Sequence, residues 1–232
     1  MPGTNCTKEQ MKRTVEPELM EEAGQAAAYA LADFAAPHSR LVDLFRERFP
    51  DAPTNARVLD LGCGPGDVAL RFAAAYPGWR IDGVDGSEAM LAAADICHHR
   101  HPGLRDRVRL LHGMLPDCAL PEARYDIVIS NSLLHHLHDP NVLWRSVRKW
   151  AAPGAPVFIA DLRRPATAEE ARRLTEFHTA GEAAELRRDF HHSLHAAFEP
   201  DEIRQQLRDT GLAHFSIDLP SDRHVLVWGH AP

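Results

Sequence analysis

The chain has 232 residues, 44% hydrophobic and 25% charged, with a formal net charge of −7. That is the composition of a soluble globular protein with a proper core, and its acidity argues against nucleic acid or an anionic membrane as partner. No apolar run could span a bilayer, no signal-peptide pattern opens the chain, and the four cysteines (Cys6, Cys63, Cys97, Cys118) are scattered, which predicts a reducing, cytoplasmic setting without a disulfide framework or zinc knuckle.

The first fifteen or so residues read as a loose polar arm. Residues 18–34 are alanine-rich and predict one helix that stops before Pro37. Leu41, Leu44, Phe45 and Phe49 then recur at helical spacing, ended by Pro50 and Pro53. From residue 57 strands and helices alternate: strand 57–61, helix 66–76, strand 80–84, helix 87–99, strands 108–111 and 125–130, helix 140–150 and strand 156–161. A helix at 201–210 and strands near 213–218 and 223–229 close the chain. Order and spacing predict an α/β, Rossmann-like, mostly parallel sheet. Residues 1–56 read as a helical arm or lid, 57–232 as the main domain, and the charged stretch 163–200 as an insertion.

Val58-Leu59-Asp60-Leu61-Gly62-Cys63-Gly64-Pro65-Gly66-Asp67 carries the most information. A short apolar run ends in an acid, and glycine then recurs at every second position. This describes a buried strand feeding a tight loop whose backbone approaches a ligand, with the next helix offering its unpaired N–H groups. The dinucleotide fingerprint G-x-G-x-x-G would need glycine where Asp67 stands, which argues against a nicotinamide dehydrogenase. Asp85 follows about twenty residues later at the end of a second strand, where doubly wound folds place a ribose-binding carboxylate.

The G-x-G-x-G loop preceded by Asp60, with Asp85-Gly86-Ser87-Glu88-Ala89-Met90-Leu91, resembles the class I S-adenosylmethionine-dependent methyltransferases. The resemblance covers residues 57–229. It implies seven strands with the last antiparallel, and S-adenosylmethionine as cofactor. It implies that Gly62, Cys63, Gly64 and Gly66 hold the methionine part, and that Asp60 anchors the loop or the cofactor's ammonium. Asp85 takes the ribose hydroxyls, Gly86 and Ser87 follow it at a helix N-cap, and Met90 packs on the adenine or simply in the helix core. The family usually has Gly-Asp after the third strand, but here it is His112-Gly113-Met114. Adenine binding then falls to Gly113 and the Met114 backbone N–H, or to Asp117 reaching back.

Strand 125–130 runs into Asn131-Ser132-Leu133-Leu134-His135-His136-Leu137-His138-Asp139-Pro140. Ligands sit outside the carboxyl ends of parallel strands, so Asn131 and Ser132 are expected beside the cofactor. His135 or His136 is expected at the acceptor, as a base if the acceptor carries a proton. The D/N-P-P-Y/F motif of amino-methylating nucleic-acid enzymes is absent here, and the chain has no Pro-Cys dipeptide. A small-molecule acceptor is therefore expected, with no nucleic acid or membrane partner, for a monomer or homodimer. Tyr29 and His191 are candidate acceptor contacts, as are the aromatics Phe177, Phe190 and Phe198 with His178. His191 and His195 have zinc spacing but lack H-E-x-x-H, so no metal is expected. The competing reading is a scaffold that binds the cofactor without catalysis.

Overall fold

A computed structural model describes residues 11–122 and 124–232. The core is a seven-stranded sheet in the order β3-β2-β1-β4-β5-β7-β6. The strands are β1 (Asn55–Leu61), β2 (Gly78–Asp85), β3 (Val108–His112), β4 (Ile127–Asn131), β5 (Pro156–Leu162), β6 (Ser216–Asp218) and β7 (His224–His230). All pairs from β3 to β5 are parallel, and β7 lies antiparallel between β5 and β6. This is the architecture expected, reversed last strand included. The sheet's order turns at β1 and β4, which leaves a crevice over their carboxyl ends.

Alternation along each strand divides the core in two. Val58, Ile81, Ile129 and Phe158 face α1 (Ala23–Leu31), α2 (Ala35–Arg48) and α3 (Asp67–Ala75). Leu59, Leu61, Val128 and Val157 face α6 (Asn141–Trp150) and α9 (Pro200–Asp209). The helix foreseen at 87–99 is two short ones, α4 (Glu88–Ala92) and α5 (Ala94–Arg100). The single helix foreseen over 18–34 is shorter. Residues 11–22 run without regular structure, α1 occupies the middle, and α2 begins at Ala35. Pro37 does not stop a helix but sits in the first turn of α2, where a missing N–H costs no intrahelical bond.

Part of the arm expected to be loose is pinned; residues 1–10 lie outside the described residues. Met11 is buried, and its N–H donates to the Ala166 carbonyl at 3.0 Å. The Thr14 N–H donates to the His195 carbonyl at 2.9 Å. Arg13 donates to the carbonyls of Ala196, His135 and Leu137, with its guanidinium 3.9 Å from the Phe198 ring centre. The segment therefore acts as a strap across the insertion, which folds as a helical hairpin of α7 (Ala168–His178) and α8 (Ala184–Ala196).

Arg163 and Arg164 open the charged stretch 163–200, and solvent is the ordinary place for such side chains. The outer face of α7 behaves that way, with Arg172 between Glu169 and Glu176. Arg164 does not, being only 6% exposed. It donates to the carbonyls of Met11 and Ala197 and, through both terminal nitrogens, to Glu202 at 3.0 Å. Strap, hairpin and α9 meet on this one guanidinium. Arg164→Ala leaves two buried carbonyls without their donor, and should cost about 2–3 kcal/mol in a denaturant titration. A loss within about 0.5 kcal/mol, the range of ordinary surface substitutions, would contradict that role.

Candidate active site

One cavity of about 980 Å³ opens over the carboxyl ends of β1, β2 and β4, roofed by the strap, α1 and α8. Its floor is the glycine loop. Gly62, Gly64 and Gly66 have φ of 69°, 53° and 86°, a region that favours glycine. The N–H groups of Gly62 and Cys63 donate to the Val84 carbonyl, folding the loop back over β2. That close approach depends on Gly83, because a Cβ there would stand 2.7 Å from Cys63 Cβ. Gly62, Cys63 and Gly64 line the cavity. Gly66 does not: its Cα packs under Leu110, where a Cβ would lie 3.1 Å from a methyl, and it N-caps α3. Its part is to turn the chain rather than to touch a ligand.

Two carboxylates flank this loop and differ in kind. Asp85 accepts from the N–H of Gly64 and of Ser87, each at 2.8 Å, so it locks the loop as well as facing the cavity. Ser87 caps α4 by accepting from the Met90 N–H and donates to the Met20 carbonyl, which ties the strap to the same corner. Asp60 is 1% exposed, and its Oδ2 has no partner. Burial, and then the negative charge of Asp85, push its carboxyl up to about 8. Asp85, not Asp60, anchors the loop. Asp60, a lining residue, keeps one oxygen without a partner.

Next to the loop stand Gly86, Met90, Gly113 and Met114, all of them lining residues. Asp117 does not reach back. It is 93% exposed, about 4.0 Å from the Lys149 ammonium and outside the lining. An adenine here would meet Met90, Gly113 and Met114. Ten of the lining residues are acidic and two are arginines, so the cavity favours positive charge. The donor set thus fits S-adenosylmethionine, which carries an ammonium and a sulfonium. Asp60 suits the ammonium and Asp85 the ribose.

The other end lies beyond β4. Asn131 and Ser132 line the cavity, and Ser132 has φ 56°, a left-handed conformation that costs a non-glycine residue about 1–2 kcal/mol. His135 is buried, its Nδ1 held 2.5 Å from Asp161 Oδ1. Asp161 also accepts from the N–H of Leu134 and of Leu162, which fixes the acid itself. Glu16, from the strap, brings Oε1 to 3.5 Å from His135 Nε2 and 3.4 Å from His136 Nδ1. Burial opposes the His135 imidazolium, but Asp161 and then Glu16 outweigh it and raise its pKa. Burial and the neighbouring His135 depress His136 to about 3, and burial raises Glu16.

The remaining expected contacts divide. Tyr29, Phe190 and His178 line the cavity. His191 does not: its ring faces Thr175 Oγ1 at 3.1 Å and stacks towards His195, inside the α7–α8 hairpin. The adjacent His192 stands in the lining instead, since one residue along a helix turns the side chain by about 100°. Phe177 points to solvent at 72% exposure, and Phe198 is buried in the core on the α6 side. Sequence reasoning missed Glu16, His38 and His192. His38 was hidden in an ordinary helical pattern, although its Nδ1 lies 2.7 Å from Asp67 Oδ2.

Asp60 makes the cavity's charge measurable. A carboxyl whose pKa rises from about 3.9 unfolded to about 8 folded is most stabilising when protonated, and its contribution falls as pH rises between those values. Asp60→Asn should therefore match the wild type in thermal stability near pH 4. It should exceed it increasingly towards pH 8, by a margin on the order of a few kcal/mol. A constant difference across that range would contradict a buried, unpaired acid.

The chain matches the family described as "Methyltransferase domain" over residues 33–216. An uncharacterized methyltransferase of Mycobacterium tuberculosis is 28% identical over 151 residues, 65% of this chain and 73% of that protein. A ubiquinone biosynthesis O-methyltransferase of Pseudomonas savastanoi is 33% identical over 108 residues, 47% of this chain and 45% of the relative. Among solved structures, the plantazolicin methyltransferase BpumL, in complex with a triazolic desmethylPZN analog and SAH, superposes with TM-score 0.66 and 14% identity over 90% of both chains. Human N-acetylserotonin methyltransferase in complex with SAM gives 0.63 and 17% over 90% of this chain and 56% of that one. The chain belongs to the methyltransferase-domain family, with the fold of the class I S-adenosylmethionine-dependent enzymes.

Proposed function

We propose that this methyltransferase moves a methyl group from S-adenosylmethionine to a small-molecule acceptor bound between the glycine loop and the strap. The observation that carries the reading is the unpartnered oxygen of Asp60, buried in an acidic cavity that calls for a cation. When bound, the cofactor supplies a methyl group on a sulfonium, a carbon already open to in-line displacement. The chain's own residues have mainly to align donor and acceptor.

Asp60 takes the ammonium, Gly62, Cys63 and Gly64 present backbone to the methionine part, and Asp85 takes the ribose while holding the loop. Met90, Gly113 and Met114 enclose the adenine. Asn131 and Ser132 stand between the two ends. Tyr29, Phe190 and His192 border the acceptor, and His135, His136 and Glu16 meet its reacting end. The ubiquinone-biosynthesis relatives, matched over about half their length, support a small-molecule acceptor. Among the described residues no helix is long and apolar enough to cross a membrane. The three described cysteines are free, which supports a cytoplasmic setting.

Two variants separate the ends of the cavity. Asp85→Ala loses charge-assisted hydrogen bonds and the lock on Gly64, so calorimetry should show S-adenosylhomocysteine binding weakened about tenfold or more. His136→Gln should keep that affinity but lower S-adenosylhomocysteine release with the acceptor about tenfold or more. Mass spectrometry of fractionated metabolites identifies the methylated product. Unchanged cofactor affinity in Asp85→Ala, or wild-type turnover in His136→Gln, would sink the respective assignment.

The strap and the α7–α8 hairpin form the roof, so they have to open for exchange. Hydrogen exchange in 16–22 and in α8 should slow when S-adenosylhomocysteine binds. Equal protection with and without it would make these segments a fixed cover.

A further inference from the structure

We propose that Glu16, His135 and His136 form a binding site for a divalent, zinc-like metal ion at the acceptor end of the cavity. The three side chains come from the strap and from the loop after β4, and they offer one carboxylate oxygen and two imidazole nitrogens within 4.8 Å of one another. Two imidazoles and one carboxylate are a donor set suited to zinc and its neighbours among the divalent transition metals.

Distances favour this reading over simple ion pairing. Glu16 Oε1 stands 3.5 Å from His135 Nε2 and 3.4 Å from His136 Nδ1. A charge-assisted N–H···O bond would bring such atoms to about 2.7–2.9 Å. Ligands about 2.0–2.1 Å from a common tetrahedral ion sit about 3.3–3.4 Å apart, which is nearly the spacing seen. The second oxygen near His136 Nδ1, the Pro17 carbonyl, is also at a long 3.4 Å.

The supporting shell is present too. Asp161 holds Nδ1 of His135 at 2.5 Å, which turns the lone pair of Nε2 towards the cluster. A carboxylate behind a ligating imidazole is the usual way such ligands are oriented. Ser193 Oγ donates to Glu16 at 3.2 Å, steadying the carboxylate from α8. All three candidate ligands line the cavity, so a coordination position is left towards its interior.

Resting on the methyl-transfer reading above, that open position suits an acceptor bound through oxygen, nitrogen or sulfur. A hydroxyl or thiol coordinated there would release its proton to water more readily. As the new heteroatom–carbon bond forms, the carbon–sulfur bond of the sulfonium breaks, and its electron pair stays on sulfur. The strap then has a second part: by carrying Glu16 it completes the site only when it is seated.

The test uses tag-free protein stripped with a chelator and titrated with cobalt(II) chloride, then with zinc chloride in competition. The expected result is about one tightly bound ion with the visible absorption of tetrahedral cobalt, displaced by zinc. Glu16→Gln and His136→Gln should each weaken binding about tenfold or more, and His191→Gln, outside the cavity, should leave it unchanged. Failure to bind cobalt or zinc, or equal binding by Glu16→Gln, would overturn the site and leave the three groups as direct partners of the acceptor. S-adenosylhomocysteine affinity is measured on the same stripped protein. Its loss there would count against the methyl-transfer reading and not against the metal site.

Discussion

A buried carboxyl group with one unpartnered oxygen is the constraint around which the cavity is arranged. Asp60 lies one residue before the end of β1 inside the sheet, with the negative Asp85 at the end of the neighbouring strand. Two acids at adjacent strand ends repel each other, and the structure separates their duties. Asp85 is satisfied by backbone N–H groups and keeps the glycine loop in shape. With its carboxyl pushed up to about 8 by burial and by Asp85, Asp60 favours the protonated form near neutral pH. The acidic lining suits a cofactor that carries positive charge.

The roof follows from that floor. A long cavity over an open sheet edge has to be covered, and the chain does this with a strap that has almost no regular structure of its own. Its order comes from ties to the rest of the chain: Arg13 of the strap donates to the His135 carbonyl, Arg164 donates to the Met11 carbonyl, and the Ser87 hydroxyl to the Met20 carbonyl. Segments held by a few polar ties rather than by broad apolar packing lie at the low end of local stability. The piece that carries Glu16 to the histidines is held in this way.

Much of the cofactor half was legible in the sequence, because it rests on local rules. The glycine spacing, the acids at two strand ends, the Ser87 cap and the alternation of strands each leave a pattern within a few residues. The acceptor half was less legible because it is assembled over long separations. Glu16 meets His135 from more than a hundred positions away, in a stretch without periodicity. His191 was expected at the acceptor with the aromatics of the 163–200 stretch, yet helix phase turns it into the hairpin and gives the cavity to His192. Asp117 looked like a displaced adenine acid, but the turn after Met114 points it to solvent. Gly83 gave a signal that was available and unread: a glycine inside a central strand usually marks close backbone approach, and here the loop lies on it.

The central claim is that Asp60 waits, protonated, for a cation. Calorimetry of S-adenosylmethionine binding near about pH 6.5, in buffers of different ionisation enthalpy, counts the protons exchanged. The account predicts release of about one proton per cofactor bound by the wild type and none by Asp60→Asn. Binding without proton release in the wild type would show that Asp60 is already charged in the free protein, and would contradict the account.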